Sequence, residues 1–388
     1  MRFTPALLGA MLIAPYSFAD IQFNGFLSAV GGKALDSPIN GYEKDITFNN
    51  DSLFGLQARA DISEKLSVTG QIVSLGENDF ATELAWGYIA YKANNNLTLR
   101  MGRFRIPLYY YSDFLDVAYA YPWVSPSDDV YNLQLDNING MDAIYKWTAF
   151  NAINVELQAY YGAINGDYKV NNTDDVLSAQ TRDNLGFVAS LGYSGFTLRT
   201  SVHQAQLSIN NIDDIAAITA LKTGVNQLTG IDSLKEAANN VLANLTVTDV
   251  ASDYYEVALH YDGDYFFAVA EVANFSFESG PFAEQKRSLF SLGAPIGATV
   301  IYGSYSKADD ESVNLSGELA AKKAGLDTLV AGLNALSTAF TVEREIRSLG
   351  VRYDFEPGAA FKVQYDNIEI VNQKNSNNVL RFGIDVVF

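Results

Sequence analysis

The sequence predicts an all-β fold, a 16-stranded antiparallel transmembrane β-barrel with a constriction loop and short helical insertions in its extracellular loops. Three observations carry this. Segments of about ten residues alternate apolar and polar side chains, which is the period and length of a membrane-crossing strand. Their connections alternate between tight turns and long polar loops. The composition joins 23 Tyr, 23 Phe and 29 Gly to a charged fraction of only 18%.

The N-terminus reads as a secretory leader over residues 1–19. Arg2 is followed by an apolar middle, Ala6 to Pro15, and a small-residue end at Ser17-Phe18-Ala19. That pattern predicts cleavage between Ala19 and Asp20, and leaves 20–388 as a single barrel domain. The plainer alternative is a short buried N-terminal helix. Beyond it no run of about 18 apolar residues occurs, so any membrane crossing falls to strands. The chain has no Cys, which excludes a disulfide framework and thiol chemistry. A net charge of −19 argues against nucleic-acid binding, which needs a basic face.

The first strand is IQFNGFLSAVGG, with Ile21, Phe23 and Leu27 on one face and Gln22, Asn24 and Ser28 on the other. A polar loop, Lys33 to Asn50, leads to LFGLQARADI. Tight turns at Ser63-Glu64-Lys65 and Asn94-Asn95-Asn96 close the next two hairpins. GMDAIYKW and INVELQAYYGA follow the long loop after Pro107. A polar loop is expected from Asp167 to Asp183. The second half repeats the pattern, with tight turns at Ser194-Gly195, Asp262-Gly263-Asp264, Pro295-Ile296-Gly297 and Glu356-Pro357-Gly358. Two loops, 212–245 and 315–340, carry apolar residues three and four apart (Ile215, Ile218, Leu221; Leu326, Leu329, Leu333, Leu336). These predict short amphipathic helices. A cap packed on the barrel rim is the plain reading; a mobile lid or a partner-binding surface are the sharper ones.

Strand parity then assigns faces. A charge turned to lipid at the membrane midplane costs roughly 2–4 kcal/mol for Arg or Lys. Mid-strand charges are therefore expected in the lumen: Arg59, Lys146, Glu156, Arg199, Glu256, Arg352, Lys362, Asp366, Arg381 and Asp385.

The fifth strand, LTLRMGRFRIP, carries Arg100, Arg103 and Arg105. The constriction loop behind it, 107–137, holds Asp113, Asp116, Asp128, Asp129 and Asp136 and no Lys or Arg. Strict alternation puts Arg100 inside and Arg103 and Arg105 outside. A bulge at Gly102 would bring all three inside; the alternative leaves Arg103 and Arg105 snorkelling at the rim. A row of arginines facing acids across a constriction would hold a transverse field and set ion selectivity. The plainer reading is salt bridges fixing loop to wall, above all for Arg105 with Asp113 or Asp116. Tyr109, Tyr110 and Tyr111 read either as a sugar slide or as packing that anchors the loop.

The chain closes on alternating Leu380, Phe382, Ile384 and Val386 and a terminal Phe388. This resembles the C-terminal strand of Gram-negative outer-membrane barrels. Gly102-Arg103-Phe104-Arg105-Ile106-Pro107, followed by an inward loop, resembles the corresponding segment of Gram-negative porins, including the phosphate-selective porin-like group. As architecture the likeness covers the whole mature chain. It implies an outer-membrane location among lipid and lipopolysaccharide, a homotrimer with the third loop folded into each pore, and passive diffusion of small hydrophilic solutes. The helical insertions depart from compact general porins.

Other classes remain to be weighed. One is a channel selective for an anionic or sugar-like solute, and another is a surface receptor or adhesin presenting its helical loops. A third is a barrel hydrolase using His203 or His260, but neither sits in a recognisable Ser-His-acid pattern. No metal-ligand spacing or phosphate-cradling loop is present, so no cofactor is predicted. Asp309-Asp310 reads as solvated loop charge, with weak Ca²⁺ binding as the alternative.

Overall fold

A computed structural model describes residues 20–131, 134–169, 176–212, 215–227, 236–237, 239–241, 243, 245–282, 284–317, 327–371 and 375–388. The expected leader and Leu326 lie outside the described residues, as do several other positions in the helical insertions.

Among the described residues, sixteen antiparallel strands close into one barrel in simple up-and-down order. They are β1 (Asp20–Ala34), β2 (Leu53–Asp61), β3 (Leu66–Leu75), β4 (Thr82–Lys92), β5 (Leu97–Arg105), β6 (Asn137–Ala149), β7 (Ile153–Lys169) and β8 (Val176–Tyr193). The second half comprises β9 (Phe196–Ile209), β10 (Val250–Asp262), β11 (Phe267–Phe277), β12 (Gln285–Ile296), β13 (Thr299–Asp310), β14 (Glu343–Glu356), β15 (Ala359–Ile370) and β16 (Asn375–Val387). β1 pairs with β16, and Gly25 and Phe388 exchange backbone hydrogen bonds of 2.7 and 2.9 Å across that seam. Closure removes the edge strands that an open sheet would leave unpaired.

The alternation read from the sequence sets the faces. Ile21, Phe23, Leu27, Met101, Val272 and Ile384 point outward and are exposed, while Ser28, Gln71, Asp142, Glu256 and Lys362 are buried inside. Around the short-turn end, Phe150, Tyr193, Phe196, Tyr265 and Phe388 are exposed. Such a ring of aromatic side chains marks a membrane–water interface.

One expected loop is mostly strand. The polar stretch 167–183 reads as a loop in the sequence, but β7 runs to Lys169 and β8 starts at Val176. Their register continues as far as Lys169 with Val176. Beyond the apolar band no outward side chain has to be apolar. The hairpin keeps its ladder there while the pattern that reveals a strand disappears.

Short elements decorate the long-loop end and the lumen. α1 (Asp128–Tyr131) belongs to the loop after β5, α2 (Ala216–Asn226) to the loop after β9, and α3 (Asp327–Ala339) to the loop after β13. α2 and α3 turn Ile218, Leu221, Leu333 and Leu336 into one buried cluster with Leu177, Leu207 and Ile209 of the inner wall. The insertions thus form a cap seated on the wall at the barrel mouth, in agreement with the plain reading of their periodicity.

Candidate functional site

Residues 106–136 connect β5 to β6 and cross the barrel lumen. Side chains of the far wall reach in and hold this loop by its backbone. From β9, Arg199 donates to the carbonyls of Pro107 (2.5 Å) and Leu108 (3.0 Å), and Ser201 donates to Leu108 at 2.9 Å. From β10, Tyr254 donates to the same Leu108 carbonyl at 3.1 Å. From β11, Glu271 accepts the Tyr110 amide at 3.0 Å and the Tyr131 hydroxyl. On the other flank, Lys362 donates to the carbonyls of Ala118, Tyr121 and Trp123 at 2.7–2.8 Å and pairs with Asp385 at 2.7 Å. Arg352 donates to the carbonyls of Tyr119 (2.7 Å) and Tyr121 (3.1 Å), and Gln364 accepts the Val124 amide at 2.9 Å.

A segment without regular structure must find partners for its amides and carbonyls. The lumen charges assigned by parity supply many of them. Glu256 accompanies Arg199 at 2.6 Å, and Asp366 accompanies Arg381 at 2.7 Å. Arg381 also reaches Asp51 at 3.1 Å. Arg59 with Asp61 (3.1 Å) and Lys146 with Glu156 (2.7 Å) are the more exposed pairs.

The loop is also glued by rings. Tyr109, Tyr111, Tyr121, Trp123 and Tyr131 are buried in one cluster with Phe104, Tyr160, Tyr254 and Tyr302. Tyr110 stacks on His260 at 5.1 Å. His203 meets Tyr160, its Nδ1 2.6 Å from the tyrosine hydroxyl. Tyr109 and Tyr111 are therefore packing residues, and the two histidines serve as ring partners.

The three arginines of β5 do not form the expected row. Arg100 lies inside, where its Nε donates to Asp142 at 2.9 Å, and Gln158 donates to the same carboxylate at 2.7 Å. Its guanidinium is 5.2 Å from the Tyr88 ring and 5.0 Å from the Phe104 ring. The bulge expected at Gly102 is absent: β5 pairs one-to-one with β4 and β6 through that residue. Arg103 accordingly stays off the lumen face and donates to the Leu84 carbonyl at 2.9 Å. Arg105 is buried by a different route. β4 and β5 are paired only up to Arg103, and Arg105 binds Asp116 and Asp136, each at 2.6 Å. That is the salt-bridge reading, with Asp116 in the role.

The remaining loop acids divide. Asp128 accepts from Asn40 of the first long loop at 2.7 Å. Asp129 is held by Arg344 at 2.5 Å and by Ser306 at 2.9 Å. Burial pushes its carboxyl above the usual range, against the pull of the Arg344 cation. Burial and the neighbouring Glu271 likewise keep the Tyr131 phenol far from ionising, so its hydroxyl remains a donor. Asp113 is exposed and bound to none of the described residues; its charged neighbours include Arg100, Arg199, Glu156 and Asp142.

Sequence reading missed Asp142, Glu271 and Arg344. Asp142 shares the parity of Lys146, and Glu271 is a charge in mid-strand, so the lumen rule could have found both. Arg344 was lost because β14 begins earlier than its apolar pattern.

No protein-family model matches the chain, and no curated protein sequence matches it. Solved structures do. An OmpT outer-membrane protein of Vibrio cholerae superposes with a TM-score of 0.55 at 14% identity, over 95% of this chain and 97% of that one. OmpF of Salmonella typhi, in complex with daunomycin, gives 0.56 at 11% identity over 95% and 98%. A mutant of the Rh. blastica porin gives 0.51 at 11% over 95% and 100%. The fold is that of 16-stranded porins. A trimer form of the Vibrio protein shares it, with a TM-score of 0.51 at 13% identity over 95% and 99%.

Proposed function

We propose that this protein is an outer-membrane porin, a passive diffusion channel for small hydrophilic solutes and ions. The observation that carries the reading is the loop 106–136, hung inside a closed barrel by wall residues of β9–β11 and β13–β15. Barrels of this strand number are wide enough to hold an aqueous channel. A loop hung across the lumen narrows such a channel, and it leaves Asp113 near Arg100 and Asp142. In this reading Arg100 is neutralised by Asp142 and Arg105 by its two acids. Asp113 is then the uncompensated charge of the constriction, and the channel prefers cations. The chain belongs in the outer membrane, bounded by lipid and lipopolysaccharide, as a homotrimer like the Vibrio protein's trimer form. Its transport needs no catalytic residue or cofactor.

The test is the reversal potential of the purified protein in a planar bilayer under a KCl gradient. Conductance with a cation preference that falls in Asp113→Asn supports the reading. An inserted barrel that passes no current sinks it.

A further inference from the structure

Between the constriction loop and the helical cap lies a chamber of about 500 Å³ that the channel reading leaves without a role. Loop residues Leu108 and Tyr109 line it below, β9–β12 line its sides, and Phe282 and Thr338 lie on the cap side. We infer that this chamber is a binding site for a small, uncharged aromatic solute carrying one hydrogen-bonding group, captured on its way to the constriction.

Three features of the wall point to that class. First, its surface is a chain of rings: Tyr109 lies 5.6 Å from Tyr254, Tyr254 4.4 Å from Phe275, and His203 5.2 Å from Tyr254. The cavity is of the size usual for a small-ligand site, typically about 300–1,000 Å³, and its lining mixes these rings with polar side chains such as Gln204, Ser252 and Gln285. Aromatic walls take flat rings by offset or edge-on contact.

Second, His203 lines the chamber and is only 6% exposed, and its Nε2 has no partner among the described residues. Its Nδ1 is already engaged by the Tyr160 hydroxyl at 2.6 Å, which fixes the ring and leaves Nε2 to a ligand. An imidazole nitrogen buried without a partner carries a desolvation cost that a bound hydroxyl or amide would relieve.

Third, the chamber's two arginines are engaged. Arg344 binds Asp129 at 2.5 Å, Arg287 binds Asp310, and Asp128 accepts from Asn40 at 2.7 Å. An anion finds no free cation there among the described residues. Several of the wall's polar groups are also already engaged with one another among the described residues: Asn184 donates to Thr181 at 2.9 Å and Gln204 to Asp253 at 3.0 Å.

The inference concerns equilibrium binding and does not depend on the barrel conducting. The experiment is calorimetric titration of the purified full-length protein with benzyl alcohol. The anion benzoate and glucose serve as comparison probes. Two variants are titrated beside the wild type. His203→Phe removes the hydrogen bond, and Thr181→Trp fills the chamber from the half-buried wall of β8. Heat-modifiable migration on gels shows that each variant is folded. The expected result is saturable binding of the alcohol, at least about tenfold tighter than either comparison probe. His203→Phe weakens it by about three- to tenfold, the loss of one buried hydrogen bond, and Thr181→Trp abolishes it. The inference is overturned if the alcohol does not saturate, if glucose or the anion binds as tightly, or if both folded variants bind like the wild type. Bilayer conductance of the same preparation tests the channel reading separately.

Discussion

Arg100 and Asp142 lie directly opposite each other on β5 and β6, and Arg100 binds the carboxylate through both Nε and Nη2. Asp142 is wholly buried and Arg100 nearly so, with side-chain exposures of 0% and 16%. A forked guanidinium on a carboxylate is a strong and directional contact. It removes the first of the β5 arginines from the count of free lumen charges beside Asp113.

Arg100→Ala therefore acts by unmasking an acid. The single change leaves Asp142 buried without its cation, a loss of about 3–5 kcal/mol for a broken buried pair. In a bilayer the reversal potential moves toward cations. Arg100→Ala combined with Asp142→Asn returns it to near the wild-type value, because the pair is neutral with or without its charges. A double variant as cation-selective as the single one would mean that Asp142 plays no part in the constriction.

Lys362 carries the heaviest share of the loop. It is fully buried, and it holds three loop carbonyls as well as Asp385. Lys362→Met keeps the length of the side chain and loses every donor. The segment 118–123 is expected to come away from β15, and single-channel records should show larger current fluctuations than wild type. Lys362→Arg, which retains charge and donors, should restore steady current in part. Quiet records from the methionine variant would place the loop's anchorage elsewhere.

Glu271 ties both ends of the loop, at Tyr110 and Tyr131. Tyr131→Phe removes one of those bonds and leaves the carboxylate buried beside Glu256. The cost is about 1–3 kcal/mol for an unmet buried acceptor. Hydrogen exchange of the amides near 109–112 should accelerate several-fold while the strands of the far wall keep their protection. Uniform acceleration across the barrel would instead indicate global destabilisation.

How much of this was legible depended on range. Parity along a strand is local and is enforced by lipid, so Lys362, Arg199 and Arg381 could be turned inward from sequence alone. The helical cap showed in the spacing of Ile215, Ile218 and Leu221. What those inward charges hold was not legible. Lys362 meets Ala118 across 244 residues of chain and Arg199 meets Pro107 across 92, and no local pattern encodes such distances. Arg105 misled for a related reason. Its own strand offers either a bulge or a place at the rim, whereas in the structure it is buried where β4 has parted from β5 beyond Gly87, an event in the neighbouring strand.

Gly102 is a distorted position in β5, but the distortion is not a bulge. Its pairing is regular, but its φ is +140°. Side chains rarely adopt that conformation. A Cβ there would lie 2.2 Å from the Gly87 carbonyl oxygen, which is backbone and has little room to yield. Gly102→Ala thus combines backbone strain with overlap at the point where β4 and β5 separate. Gly297→Ala is the fitting comparison. Its φ is +63°, in a tight turn, and no atom lies within 4 Å of the added carbon. Strain alone costs of order 1–3 kcal/mol at such a residue, so Gly297→Ala should lower the unfolding midpoint slightly. Gly102→Ala should lower it clearly further, read as the temperature at which the folded band is lost on gels. Equal shifts would show that β4 adjusts without cost, and the close approach of Gly87 would then not constrain the wall beside Arg100.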